Sequence, residues 1–558
     1  MKCDTKNIKW ERCVTDYSGF TFSIGVVGHR NVADDALAQL EASITLHLES
    51  LAQKLGASSV DSPVVGPIPI RVYTALAEGA DRIFTRVAMR VLGARVSIVA
   101  VLPTDAADYE RDFPDSVTEF RDLLALCNSV IVVDQTPAAS RNTHYRRAWE
   151  VICAKSNLLF ALWDMKPGLE AGTAQCLHTR CFSAPKTQMG EAYMAGPAIV
   201  IPTSRAEANA NDTPDALVNF LTRSKWISTY GGETGGPTDA TEAHAGWIRD
   251  FAIVALAVDA KREAGSRSID AGFDAADKVA TSSRNIVDSR LKFLAGAFYV
   301  LAIALIFSGN LLPKLPINLL AATLTTLAAL EWARQRKHGT FRLFVYARAL
   351  AEGMRMQRAL NAMGLRSRAV DLLRYRTGPV PTTLRELLRS IQSTTPAAEP
   401  GKFENCAGWL NEQIAYYTGS AQVRQSRFDK REWFRKNILI GGGSLLLFLW
   451  VVVQVWAWFF KVELPPVARA IALASVMTVF MIGILMGVHT IQMQLREQGA
   501  AFARMRDVLL TYRDWMSATE QTKHSGSDEE KANAAKWLLA QALSENEEWC
   551  LRQSGVAL

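Results

Sequence analysis

Apolar runs four to eight residues long recur between residues 20 and 201, most of them stopping at a glycine, a proline or a carboxylate. Phe20 to Val27 stops at Gly28-His29-Arg30. Arg71 to Thr74 leads into Ala75-Leu-Ala-Glu-Gly-Ala-Asp81. Val96 to Leu102 stops at Pro103, Ser129 to Val133 at Asp134, and Leu158 to Trp163 at Asp164. Ala198 to Ile201 is the last. Helical spacing fills the gaps: Leu37, Leu40, Ile44 and Leu48 mark one helix within Asp34 to Leu55. Others run up to Leu92, from Phe120 to Cys127 and from Asn142 to Lys155. Strands alternating with helices predict a doubly wound parallel sheet with helices on both faces.

Such sheets bind ligands beyond the carboxyl ends of their strands, and the marked residues fall there. They are Gly28, His29 and Arg30 after strand one, Glu78, Gly79, Ala80 and Asp81 after strand two, and Asp134 after strand four. Asp164 follows strand five, and Gly172, Thr173 and Ala174 open the helix beyond it. Glycine permits close backbone approach, and helix N-termini offer N–H groups to an anion. These twelve are the candidate ligand-binding residues. The competing reading is that the glycines only shape tight turns between strand and helix.

Past residue 290 the pattern changes. Phe293 to Pro313, Leu315 to Leu330, Asn437 to Phe460 and Ala470 to Leu495 are apolar and almost uncharged, in lengths that predict four transmembrane helices. Basic residues flank them on one side: Arg284, Arg290 and Lys292, then Arg334, Arg336 and Lys337, then Arg431, Arg435 and Lys436, and finally Arg496. The positive-inside rule then places both termini in the cytosol of a multi-pass inner-membrane protein, in contact with membrane lipid. Trp456, Trp458, Phe459 and Phe460 would form the far aromatic belt, and Gly483 with Gly487 a close-packing pair. The fold class expected is therefore an α/β doubly wound Rossmann-like N-terminal domain followed by an all-α membrane domain. The boundaries are 18–205 for the binding domain, 206–289 for an insertion and connector, and 290–333 and 437–495 for two hairpins. A basic helical segment fills 334–436, and C-terminal helices fill 496–558.

Net charge is +7. Twenty Lys and Arg against eight Asp and Glu lie between Ala333 and Lys436, so the remainder of the chain is net acidic. A basicity this local argues against nucleic-acid binding. The eight cysteines contain no CxxC pair and read as reduced thiols. Cys176, His178 and Cys181 lie close in sequence, but a metal site needs a fourth ligand and better spacing, so no metal is expected. Met1 to Lys6 has no apolar h-region, which predicts no cleaved signal peptide.

Val27-Gly-His-Arg30, Ala75-Leu-Ala-Glu-Gly-Ala-Asp81, and Leu158 to Asp164 followed by Ala171-Gly-Thr-Ala174 resemble the SLOG superfamily over residues 18 to 205. That Rossmann-like group is related to the lonely-guy enzymes and DNA-processing protein A. The apolar region is similar to SLATT-type domains, through Arg348 to Arg355 and Glu545 to Trp549. The resemblance implies a sensor of a nucleotide second messenger or an ADP-ribose-like ligand, with no other cofactor, coupled to a membrane effector in bacterial antiviral defence and assembled as a homo-oligomer. Gln175 stands where the related enzymes continue toward a catalytic glutamate, and an amide cannot act as general acid or base. That favours binding over catalysis. A membrane-anchored nucleotide hydrolase or glycosidase, drawing on Glu78 or Asp81, is the alternative.

Overall fold

The computed structural model describes residues 19–56, 67–133, 140–166, 171–182, 194–206, 227–229, 244–262, 268–310, 339–365, 367–373, 379–392, 404–462, 495–521 and 528–557, with a few isolated positions besides. Contacts divide the chain into two units. Met1–Val279 joins Tyr346–Lys402 in the first, and Ala280–Val345 joins Phe403–Leu558 in the second.

The first unit is built on a parallel sheet of β1 (Phe22–Gly28), β2 (Ile70–Thr74), β3 (Val96–Leu102), β4 (Ser129–Val132), β5 (Leu158–Trp163), β6 (Ala198–Pro202) and β7 (Ile227–Thr229). The spatial order is β4-β3-β2-β1-β5-β6-β7. The register sets Ile24 beside Val72 and Val26 beside Phe160. All six residues of β5 are buried, as a strand covered on both faces requires.

Alternation along β5 explains the two layers. Leu159, Ala161 and Trp163 pack with α5 (Arg141–Lys155) and α6 (Thr173–Phe182). Phe160 points the other way, 5.2 Å between ring centres from Phe84 of α2 (Ala80–Leu92) and 6.3 Å from His47 of α1 (Leu37–Gly56). Two short helices, α3 (Ala106–Tyr109) and α4 (Val117–Leu126), lie between β3 and β4. Then α7 (Ala245–Lys261) closes the α1–α2 face, stacking Trp247 on Phe22 at 5.9 Å.

The polar stretch Glu207 to Glu242, which reads in sequence as a loop, contributes β7 and otherwise lies outside the described residues. The first unit also takes in part of the basic segment. Of helix α8 (Ile269–Asn310) and helix α9 (Thr340–Ala362), the portions within this unit are stitched by Arg348–Asp277 at 2.6 Å and Arg358–Asp270 at 2.5 Å. Helix α10 (Pro379–Gln392) buries Glu386 and Arg389 completely. Asn157 Nδ2 donates to the Glu386 carbonyl at 2.8 Å, and Arg389 donates to the carbonyls of Ser156 and Ala195 at 2.9 Å. Arg180 donates to the carbonyls of Cys153, Met194, Ser156 and Asn157 beside it. Buried charges persist where such partners satisfy them.

The second unit is helical. Helix α11 (Glu404–Lys436) packs along α13 (Leu495–Gln521), with Tyr417 edge-on to Phe502 at 5.3 Å and Arg424 4.1 Å above the same ring. Helix α12 (Gly443–Phe459), helix α14 (Asp528–Ala557) and the part of α8 after Val279 also belong to it.

Among the described residues no helix is long and apolar enough to cross a membrane. That overturns the expected all-α membrane domain of four transmembrane helices. The multi-pass inner-membrane placement with cytosolic termini and the SLATT-like reading of this region fall with it. An uncharged run is not a uniform α-helix. Asn437–Gly442 winds as a π-helix, leaving the 17 α-helical residues of α12. At about 1.5 Å per residue the α-helical part alone reaches about 26 Å, against a hydrocarbon core of about 30 Å. The run after Lys292 forms the end of α8, and its side chains lie outside the described residues. Leu315 to Leu330 lies almost wholly outside the described residues, as do Ala470 to Gln494 with Gly483 and Gly487.

Candidate functional site

Strand order reverses between β1 and β5: the chain progresses outward from β1 through β2, β3 and β4 on one side, and from β5 through β6 and β7 on the other. Loops leaving the carboxyl ends of β1 and β5 therefore part, and a crevice opens between them. His29 leaves β1 and Asp164 leaves β5. His29 Nε2 lies 2.9 Å from Asp164 Oδ1 and accepts the Asp164 backbone N–H at 2.9 Å. Burial lowers the His29 pKa to about 4 against the pull of Asp164, so the ring is neutral at physiological pH and is able to accept. The carboxylate takes its counter-charge from Arg205, whose Nε is 2.7 Å from Oδ2.

Arg205 follows β6 and reaches the crevice because its loop pairs with the loop after β1. Val32 and Arg205 form an antiparallel bridge, Ala33 N–H donates to the Ser204 carbonyl at 3.0 Å, and Ala206 N–H donates to that of Asn31. The reading from sequence missed Arg205; a basic residue just past the sixth apolar run was the available signal.

The turn after β2 packs against the turn after β1. Gly79 has φ +82°, and a Cβ there would sit 1.8 Å from the Arg30 carbonyl oxygen. A Cβ on Gly28 would sit 2.5 Å from that of Ala80. The Ala80 N–H donates to the His29 carbonyl at 3.0 Å. These glycines therefore serve close backbone packing, and the first N–H of α2 is taken by protein. Leu76, at φ +52°, is held in this turn by Arg82 Nε, which donates to its carbonyl at 3.1 Å. The buried Arg82 also donates to Glu119 at 2.9 Å and lies 4.5 Å above Phe113. Glu78 accepts from Ser116 Oγ at 2.5 Å.

Arg30 projects from the β1 end with its side chain 40% exposed, against 27% for Arg205. Its guanidinium lies 5.0 Å over the Tyr145 ring and 3.7 Å from Asp112 Oδ2. Burial works against its charge, but Tyr145 and Asp112 more than offset that and hold its pKa above the ordinary value. Asp112 in turn accepts from Tyr145 Oη and pairs with Arg141 at 2.7 Å, and Arg141 also pairs with Asp108. Tyr145 and Arg141 lie one turn apart on α5, beside the loop that follows β3. Asp81 is buried in the first turn of α2. Burial pushes its carboxyl up to about 7, against hydrogen bonds from the N–H groups of Ala77 and Ala75 and the nearby Arg30 charge.

The α6 end is tighter than its sequence suggests. Trp149 Nε1 donates to the Ala171 carbonyl at 3.1 Å, and Ala171 N–H donates to Gln175 Oε1 at 2.7 Å. Gln175 thus braces its own turn, where Ala171 has φ +65°. Thr173 is buried, Gly172 half-buried, and Ala174 belongs to the core. Asp134 lies outside the described residues. The structure thus brings His29, Asp164 and Arg205 together at the β1–β5 crevice, with Arg30 and Asp81 on its β2 side. Glu78, Gly79, Ala80 and Ala174 are committed to the scaffold. Among the described residues no group of three His, Cys, Asp or Glu side chains is placed to hold a metal ion.

No family model matches this chain, and no curated protein matches it.

Proposed function

We propose that the α/β unit binds a small phosphate-bearing ligand of nucleotide type at the β1–β5 crevice and works as a sensor. The observation that carries this reading is the reversal of strand order between β1 and β5, with the half-buried Arg30 and the Arg205–Asp164–His29 set at the opening. An open α/β sheet presents its ligand crevice at such a reversal. Arg30 offers a planar, permanently charged guanidinium suited to phosphate oxygens. The ion-paired Asp164 offers acceptors to hydroxyl or amino groups, and neutral His29, whose Nε2 accepts the Asp164 N–H, keeps an Nδ1–H to donate. The SLOG resemblance supports a nucleotide-derived molecule, such as an ADP-ribose-like species. The test is a thermal-shift screen of the full chain against ADP-ribose, AMP and cyclic nucleotides. Stabilisation by one of them that is lost in both Arg30→Ala and Arg205→Ala supports the reading; stabilisation retained in both variants refutes the site.

A hydrolytic reading has one observation in its favour, the Asp81 carboxyl with a pKa of about 7 close to Arg30. A carboxyl in that range can serve as general acid or base near neutral pH. Gln175 argues the other way, since it is engaged with the Ala171 N–H. Recovery of the bound ligand intact after incubation supports the sensor, and its consumption supports the hydrolase.

A further inference from the structure

Two cysteines that play no part in the crevice lie in contact beneath it. Cys153 is in the last turn of α5 and Cys176 in the first turn of α6, and their Sγ atoms are 3.5 Å apart. Both are fully buried in the cluster that also holds Cys181. Buried cysteines are ordinarily inert. This pair differs because the two sulfurs already face one another across two helices, and a disulfide requires them to close by only about 1.5 Å, to about 2.05 Å.

We propose that Cys153 and Cys176 form a peroxide-sensitive dithiol whose closure to a disulfide ties the start of α6 to α5. The S–H of Cys176 donates to Cys153. That hydrogen bond holds the Cys153 thiol below its ordinary pKa against its burial, with Arg180 adding to the effect. Burial pushes the Cys176 thiol up, so it keeps its proton. Cys153 is then the attacking sulfur. Its thiolate displaces hydroxide from hydrogen peroxide: an S–O bond forms, the O–O bond breaks, and the hydroxide leaves as water with a proton. Cys176 sulfur next attacks the sulfenic sulfur. The S–S bond forms, the S–O bond breaks, and a second water leaves carrying the Cys176 proton. Two thiols are oxidised by two electrons and one peroxide is reduced to two waters.

The position gives the reaction its consequence. Cys176 lies three residues past Thr173, and the Ala171 carbonyl that precedes α6 is already held by Trp149 of α5. The same α5 presents Arg141 and Tyr145 to the crevice from its first turns. A covalent tie fixes the α6 turn against α5 and stiffens one wall of the crevice. The thiol chemistry stands whether or not the crevice binds a nucleotide.

The test uses the full-length chain. It is exposed to graded hydrogen peroxide, denatured in an alkylating agent, digested without reduction and mapped by mass spectrometry. The expected result is a Cys153–Cys176 cross-linked peptide lighter by two hydrogens, lost on reduction, while Cys181 and Cys550 are recovered alkylated. Cys176→Ser should stop the reaction at Cys153 sulfenic acid, trapped by dimedone. Recovery of Cys153 and Cys176 as alkylated thiols at doses that oxidise the half-buried Cys127 would overturn the proposal. So would a cross-link from Cys176 to Cys181 instead. Because the mapping is done on the unaltered chain, its outcome does not depend on whether the variant folds. Hydrogen exchange of residues 171–176 should slow in the oxidised protein, and unchanged exchange there would refute the stiffening.

Discussion

Replacing Gly79 by alanine should damage the β1 and β2 turns together. Gly79 has φ +82° and ψ −121°, a conformation open to glycine and strained for other residues. Holding alanine there costs about 1–3 kcal/mol. The new Cβ would also stand 1.8 Å from the Arg30 carbonyl oxygen and 2.8 Å from that of His29, so the two turns must separate. Separation breaks the Ala80 N–H bond to the His29 carbonyl, worth about 0.5–1.5 kcal/mol net. Together the loss is on the order of 2–4 kcal/mol, from strain and the lost bond combined. At about 1–2 °C per kcal/mol for a unit this large, scanning calorimetry should show the transition fall by several degrees. Gly246→Ala is the control: in the first turn of α7 a Cβ meets nothing within 4 Å, and the change should be neutral or stabilising by up to about 1 kcal/mol. A Gly79→Ala transition within a degree of the parent, with unchanged exchange at the His29 and Arg30 amides, would refute the reasoning.

Titration should separate two opposed groups of buried residues. His29 and His244 have folded pKa values lowered to about 4 by burial. Between about pH 4 and 6.5 the unfolded chain binds more protons at these residues, so their part of the stability rises with pH. Asp81 and Asp259 are raised by burial to about 7 and about 6. There the folded chain binds more protons, and their part falls as pH rises from about 4 toward 7. Asp81→Asn should therefore gain stability relative to the parent as pH rises across that window, and an identical pH profile in denaturant unfolding would contradict it. Arg82→Met removes a buried guanidinium that holds the Leu76 turn and strands the acceptors of Ser116, and unfolding should show a loss of about 1–3 kcal/mol for each stranded buried acceptor. Arg205→Ala removes a charge that lowers the His29 pKa, so NMR should find the ring titrating above about 4, and an unmoved titration would show that Arg205 does not act there.

The sheet was legible because each strand but the last is a compact apolar run bounded by turn residues. β7 was not, because Ile227-Ser-Thr229 is three residues inside a polar stretch, too short to show alternation. His29 and Asp164 were each marked by lying at a strand end. Their contact depends on β1 being the neighbour of β5, a pairing across 135 residues that no local pattern encodes. Arg205, Asp112, Arg141 and Tyr145 were missed for the same reason: they come from different loops and converge only once strand order is fixed. Some signal was present, since Arg141 and Tyr145 lie one turn apart on α5 and the acidic residues Asp108 and Asp112 lie four apart after β3. Gly28 does end strand β1 and Gly79 does follow β2, but the close neighbour of each is the adjoining turn itself. The joining of residues 346–402 to the sheet unit rests on buried pairs such as Asn157 with Glu386, which a charge count reads as a solvated basic segment.

Calorimetric titration of the nucleotide selected by the screen, into the parent chain and Arg30→Ala, tests the central claim most directly. Loss of a charge-assisted phosphate contact worth about 1.5–3 kcal/mol predicts an affinity about 10- to 150-fold weaker in the variant, with its fold unchanged by circular dichroism. Equal affinity in the two proteins would contradict the account and move the ligand away from the β1–β5 crevice.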